Sequence, residues 1–292
     1  MGLNVLNHNI MQIITSTAEL FNICHKWQME GESIALVPTM GYYHKGHENL
    51  MTIGRKEGTK LVVSLFVNPS QFGPNEDLSQ YPKDYDRDFA IAESHGTDLI
   101  FVPDPNQMYK DDHATWVEVP DLAKNLCGKS RPIHFRGVCT VVLKLFMLIK
   151  PNIAIFGEKD WQQQAIIKRM VRDLNIPVFI KTGPLIREDD GLALSSRNIY
   201  LSTEQRVQAP HIYKGLLKAY ECVEKGEKIS RMVKENVLCY WAKYLPLGRL
   251  DYLSIIHPET LEELDSIDGP ARIACAIRLG KARLLDNILL HA

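Results

Sequence analysis

Ile34-Ala35-Leu36-Val37-Pro38-Thr39-Met40-Gly41-Tyr42-Tyr43-His44-Lys45-Gly46-His47 is the stretch whose reading decides the fold. Ile34 to Val37 is an apolar run with the texture of a strand buried on both faces, and it breaks at once into a loop ending His-x-Gly-His. A helix pattern follows from His47 to Glu57 and stops at Gly58. A buried strand that turns through glycine into a helix presents backbone N–H groups at the turn, where they favour anions, so phosphate is the first ligand to consider. With Gly46-His47 opening the helix, both imidazoles, three residues apart, reach one face beside that anion. Zinc is the weaker reading of the His pair: there is no third ligand at the usual spacing, no His-Glu-x-x-His and no neighbouring Cys pair.

Working outward, the pattern repeats. Leu61 to Val67, Leu99 to Val102, Ile153 to Phe156 and Val178 to Ile180 read as strands, with helix patterns at about 84–95, at 137–149 and through Ala165, Ile166, Met170, Val171 and Leu174. Upstream, 12–29 reads as a first helix with a Ser16-Thr17 start. Alternating strands and helices with right-handed crossovers predict an α/β fold, a doubly wound parallel sheet of about five strands whose ligands bind at the strands' carboxyl ends. Thr39 to His47, Asn68 to Phe72 and Gly157 to Asp160 each begin just after such a strand, which argues for one site. Residues 104–136, rich in Pro, Asp and Lys, are too long for an idle connection.

Beyond about residue 185 the texture changes. Helices at 203–225 and 228–244 precede strands at Leu253 to Ile256, Ala271 to Ile277 and Arg283 to Leu285, the last two joined as a hairpin across Gly280. This predicts a smaller α+β domain over 186–292 after a larger one over 1–185, a division that suits a length of 292 residues. A net charge of -1 gives no general attraction to nucleic acid or an anionic membrane, so a phosphate ligand must be held locally. The six cysteines are scattered without Cys-x-x-Cys, as in a reduced cytoplasmic protein. No basic-then-apolar leader and no apolar run approaching ~20 residues is present, so the expectation is a soluble protein.

Other residues suit a phosphate and a small acid. Lys159 follows a strand and a glycine, Ser195-Ser196-Arg197 offers two hydroxyls and a guanidinium, and Arg131, His134 and Arg136 precede a helix. Gln71 and Gln163 can hold a hydroxyl or carboxylate without a charge. Taken singly, each has a plainer reading as a solvated surface charge, a helix cap or a surface amide.

Together, Pro38-Thr-Met-Gly-x-x-His-x-Gly-His47, Asn68-Pro-Ser-Gln-Phe72, Tyr81-Pro82, Arg131-Pro-x-His-Phe-Arg-Gly137, Phe156-Gly-Glu-Lys-Asp-x-Gln-Gln163 and Ser195-Ser-Arg-Asn198 resemble the pantoate–beta-alanine ligase family, from about residue 12 to the C-terminus. The His-x-Gly-His element alone is shared with other nucleotidylyl transferases and class I tRNA synthetases; the ordered set is specific. The resemblance implies a Rossmann-like N-terminal domain, a C-terminal lid and a homodimer. It also implies ATP and Mg2+, and a pantoyl adenylate that beta-alanine converts to pantothenate and AMP. By position, Pro38, Thr39, Met40, His44, His47, Gly157, Lys159, Asp160, Ser195, Ser196 and Arg197 would line the ATP site, with His44, His47, Lys159, Ser195, Ser196 and Arg197 serving catalysis. Gln71 and Gln163 would hold pantoate against Met40 and Phe72, with Arg131 and His134 alongside and Asp88 near the metal. Departures from the family pattern are Leu194 for Met, Tyr42-Tyr43 for a small residue plus Leu, and Arg87 beside Asp88.

The implied chemistry suits these residues. A carboxylate with pKa near ~4 is already ionised at neutral pH, so adenylation needs no general base, only positioning and charge neutralisation. The residues name no base for the beta-alanine amine. The rivals are an adenylyltransferase acting on a phosphate ester, disfavoured by the neutral Gln71 and Gln163, and an inactive nucleotide-binding scaffold, disfavoured by the intact His-x-Gly-His and Lys159. A tRNA synthetase would want a basic face, which the composition lacks.

Overall fold

The computed structural model describes residues 10–290 apart from residue 75; residues 1–9 and 291–292, which the expected domain spans include, lie outside the described residues. The N-terminal part runs β1 (Gln12–Ile14), α1 (Thr17–Met29), β2 (Ile34–Thr39), α2 (Lys45–Glu57), β3 (Lys60–Leu65), α3 (Tyr85–Ser94), β4 (Leu99–Phe101), α4 (His134–Ile149), β5 (Ile153–Gly157), α5 (Trp161–Asp173) and β6 (Phe179–Gly183), with short helical turns between. All six strands are parallel, in the order β1-β4-β3-β2-β5-β6.

The sixth strand corrects the expectation of about five. Gln12 to Ile14 pairs with Leu99 to Phe101 instead of opening a helix, and α1 starts at Thr17, where Ser16 Oγ accepts from Glu19 N. Three residues are too few to display a strand period, and Ile13, half-exposed on the sheet edge, adds no burial signal.

The near-continuous apolar runs follow from burial on both faces. Ile34, Leu36, Val62, Phe101 and Phe156 point into a core shared with α1, α4 and α5. Their neighbours Ala35, Val37, Leu61, Val63 and Ile155 point into a second core shared with α2 and α3. Strand order reverses at β2: the chain leaves it for β3 on one side, and β5 is laid on the other. A crevice opens at such a switch point, outside the carboxyl ends, and here the loops after β2, β3 and β5 border it.

Residues 104–136 are not featureless; they contain helical turns at Pro105–Met108, Pro120–Ala123 and Cys127–Ser130. The following helix begins at His134, three residues before the expected start.

The C-terminal part contributes α6 (His211–Glu224), α7 (Ser230–Tyr244), β7 (Gly248–Ile256), β8 (Ala271–Leu279) and β9 (Ala282–Leu290). Its antiparallel sheet, ordered β7-β8-β9, shares a core with both helices through Leu216, Val237, Trp241, Ile273 and Leu284. The hairpin turns at Gly280 (φ 57°), as expected. β7 and β9 are longer than expected because charged residues inside them are paired: Arg283 Nη2 lies 2.6 Å from Asp251 Oδ2, and Arg187 binds Asp286 through two bonds of 2.7 Å. Among the described residues no helix is long and apolar enough to cross a membrane.

Candidate functional site

The loop after β2 is an unusual piece of backbone. Gly41 (φ 85°) and Tyr42 (φ 53°) are consecutive left-handed residues. Side chains rarely adopt such φ values, so the surroundings must hold the turn. Asp88, near the start of α3, does so: its two oxygens accept from Tyr42 N at 2.6 Å and Tyr43 N at 2.7 Å. A Cβ on Gly41 would stand 3.0 Å from Asp88 Oδ2, which leaves room only for glycine. Asp88 is 1% exposed and both oxygens are engaged, so the metal role expected for it gives way to loop anchoring.

From this turn His44 caps α2. Its Nδ1 accepts from Gly46 N at 3.1 Å, and His47 Nδ1 accepts from His44 N at 3.4 Å, a reciprocal cap made by two imidazoles with centroids 4.1 Å apart. Burial, then the charge of neighbours including Lys159, pushes His44 down to about 2 and His47 down to about 4. Both rings are therefore neutral, and with Nδ1 accepting, the proton of each sits on Nε2. The pair offers two neutral N–H donors.

The other strand ends complete the cleft. After β5, Lys159 Nζ lies 3.9 Å from Asp160 Oδ2. Ser195 Oγ accepts from Arg197 N, and Ser196 Oγ donates to Tyr42 O at 3.2 Å, tying this segment to the His44 loop. Arg197 grips Asp77 through two bonds of 2.8 and 3.0 Å.

The expected acid-binding residues form a neutral corner. Asn68 Nδ2 donates to Gln71 Oε1 and to Gly137 O, both at 3.1 Å, while Gln71 Nε2 donates to Met40 Sδ. A Cβ on Gly137 would be 2.5 Å from Ser70 O, so α4 approaches this turn only because residue 137 is glycine. His134 Nδ1 donates to Gln71 O at 3.0 Å, and Arg131, beside His134 Nε2, pairs bidentately with Glu76. Burial and the Arg131 charge push His134 down to about 3. Arg131 and His134 thus support the Gln71 turn. Gln162 is spent on Leu122 O, Asn125 O and Cys127 N, and Gln164 on Phe156 O and Thr182 Oγ1. Gln163 between them lines the cleft.

The cleft measures about 530 Å3. It brings together Pro38, Thr39, Met40, His44, His47, Gln71, Arg131, His134, Lys159, Asp160, Gln163, Ser195, Ser196 and Arg197. Phe72, expected as a wall, lies outside that lining and packs edge-on against Tyr81 at 6.2 Å; Val138, Val142 and Phe156 make the apolar wall instead. Gly157 also lies outside the lining, one residue beyond Phe156. Sequence reasoning missed Glu76, Asp77 and Asn287, whose loop and strand settings carry no periodic signal; their detectable mark is charge or amide in a segment with no helical face. Among the described residues no group of three or more His, Cys, Asp or Glu side chains could hold a metal. A divalent ion carried in on a polyphosphate fits such a donor set, since Mg2+ keeps its waters and needs only one or two carboxylates such as Asp160.

The profile of a family described as "Pantoate-beta-alanine ligase" matches residues 12–289. The chain is 64% identical over 282 residues to a pantothenate synthetase of Desulfovibrio desulfuricans, covering 97% of this chain and 100% of that protein. It is 48% identical to one from Thermosipho melanesiensis, covering 96% and 99%. Among solved structures, pantothenate synthetase from Thermus thermophilus superposes with a TM-score of 0.90 at 44% identity, covering 95% and 99%. Pantoate-beta-alanine ligase from Francisella tularensis, complexed with beta-gamma ATP and beta-alanine, gives 0.79 at 33% identity, covering 96% and 97%.

Proposed function

The chain belongs to the pantoate–beta-alanine ligase family, and from that premise we propose that its cleft condenses pantoate with beta-alanine at the expense of ATP. The ionised pantoate carboxylate attacks the α-phosphorus; a P–O bond breaks, pyrophosphate leaves and pantoyl adenylate remains. The beta-alanine amine then attacks the acyl carbon, the C–O bond to AMP breaks, and the amine proton is lost as pantothenate forms.

The observation that carries this reading is the make-up of one cleft lining. It includes His44 and His47, whose Nδ1 atoms are used within the loop and leave their Nε2–H groups as donors, together with Lys159, a set suited to a polyphosphate. It also includes the neutral Gln71, in contact with Met40, and Gln163, with Val138 and Val142, which suit a small hydroxy acid. Negative charge grows on the phosphoryl oxygens and the departing pyrophosphate, and neutral histidine donors stabilise it without a proton transfer. Ser195 and Arg197 extend the same side. Mg2+, held by Asp160 and the phosphates, would neutralise triphosphate charge. The part from about residue 186 onward acts as a lid, and the protein works as a cytoplasmic homodimer.

The test is ATP–pyrophosphate exchange with pantoate and Mg2+ but no beta-alanine, followed by addition of beta-alanine. Pantoate-dependent exchange, then stoichiometric AMP and pantothenate, is the expected result. Bound ATP without exchange would overturn the reading.

A further inference from the structure

The turn that carries Lys159 is held from outside its own sheet. The short helical turn Glu158–Asp160 has no side-chain cap of its own. Asn287, on β9, braces it from the other sheet: its Nδ2 donates to two successive backbone carbonyls, Glu158 O at 3.2 Å and Lys159 O at 3.0 Å. Its Oδ1 accepts from Arg272 Nη1 on β8. Arg272 in turn reaches Glu158 Oε1 at 2.9 Å and lies 3.7 Å over the Trp161 ring. Asn287 is 5% exposed and Arg272 3%.

Burying this much polarity is costly unless each group is paired, and an apolar contact would join the two sheets at less expense. Fixing two consecutive carbonyls fixes two peptide planes, and with them the direction in which the Lys159 side chain leaves the backbone. A lysine stem has many rotamers, so a cation on an unfixed turn would be spread over many positions. We infer that Asn287 is a positioning residue for Lys159, so that docking of the C-terminal sheet and placement of the phosphate-facing cation are one event. The inference rests on the proposed adenylation for its kinetic readout; nucleotide affinity provides a readout that does not.

Asn287→Asp tests it. The new carboxylate keeps an acceptor for Arg272 but faces two carbonyl oxygens, which it can satisfy only when protonated. The charged groups around it are Glu158 and Lys159 of the turn, Arg272 of β8, Asp286 of its own strand and Arg187 bound to Asp286. Burial beside Asp286 and two carbonyls raises the carboxyl, opposed in part by the Arg272 guanidinium, and the positioning role requires that it titrate above the usual range. N287D should lose about 100-fold in pantoate-dependent exchange near pH 8 and bind ATP more weakly, by calorimetry. Both deficits, taken relative to wild type, should shrink as pH falls to about 6 while pantoate KM stays within about two-fold. A role confined to holding the fold would instead give a pH-independent deficit with pantoate KM moving in step, and that result, or wild-type ATP affinity and exchange, overturns the inference. Should wild type itself show no exchange, the functional reading fails and ATP affinity alone decides the positioning claim. If N287D does not fold, Arg272→Lys, which keeps a cation beside Glu158 but releases the Asn287 amide, should show a loss of exchange and ATP affinity at unchanged pantoate KM; wild-type values for R272K overturn the inference.

Discussion

Replacing Asp88 by asparagine separates two roles that the sequence leaves entangled. The aspartate accepts from two successive amides at 2.6 and 2.7 Å and is 1% exposed. Asparagine keeps one acceptor but turns an NH2 group toward the second amide, leaving a buried donor unpaired against another donor. An orphaned buried amide costs about 1–3 kcal/mol, and loss of the charge assistance at the first adds to this, so the expected destabilisation is about 2–4 kcal/mol. For a chain of this size that is a fall in Tm of roughly 3–7 °C. Because the same amides fix the left-handed Gly41-Tyr42 turn and hence His44, adenylation should slow as well. The assay is thermal unfolding alongside pyrophosphate exchange measured across a Mg2+ titration. Loop anchoring requires a lower Tm and a lower exchange rate with the Mg2+ midpoint unmoved. An unchanged Tm with a Mg2+ requirement raised by an order of magnitude would refute the argument and restore Asp88 as a metal ligand.

Three further outcomes are expected. His44, His47 and His134 are pushed down to about 2, 4 and 3, below the ~6.5 of the unfolded chain, so the unfolded state binds more protons as pH drops below that value. Stability should be full above about pH 6.5 and fall on acidification, by up to about 2 kcal/mol per histidine at pH 5; urea midpoints that do not decline between neutrality and pH 5 would contradict this. Asp77→Asn frees Arg197 from a partly exposed ion pair worth about 0.2–1 kcal/mol, so ATP should bind up to about five-fold more tightly by calorimetry, and weaker binding would show that Asp77 helps hold the nucleotide. Gly137→Ala drives a methyl to 2.5 Å from Ser70 O and 2.6 Å from Gln71 N, an overpacking costing about 1–3 kcal/mol; pantoate KM should rise with ATP KM unchanged, and parallel rises would place the damage elsewhere.

What could be read from the sequence was local. The strand, the Gly41 turn and the helix lie close together in sequence, although the helix, expected to open at Gly46-His47, starts at Lys45 with His44 as its cap, and three strand-end motifs converge because a doubly wound sheet brings its carboxyl ends together. What escaped depends on partners distant in sequence. Asp88 enters the sequence reading only through the resemblance, near the metal, and only the fold reveals that it meets the amides of Tyr42 and Tyr43. The strand expected over Arg283 to Leu285 runs from Ala282 to Leu290, with Asp286 and Asn287 buried inside it. Two polar residues inside a buried strand were the available signal for a contact between the two sheets.

Several charges of the cleft are paired with one another, while Arg278 and Lys281, which also line it, have no ion-pair partner among the described residues. Arg131 holds Glu76, Arg197 holds Asp77, Lys159 stands by Asp160, and both histidines of the phosphate side are neutral. In the proposed reaction a polyphosphate that draws on Arg197 would take it from Asp77 by exchange. The acid needs no such exchange, because Gln71 and Gln163 are neutral. In the proposed reaction this matters chemically: a carboxylate clamped by a guanidinium would have its lone pairs tied up in charge-assisted bonds, whereas one held by amides keeps its nucleophilicity for the α-phosphorus. With Arg131 occupied by Glu76 and the Gln71 carbonyl, the cleft denies the acid its strongest competing partner and leaves the reacting oxygen free to attack.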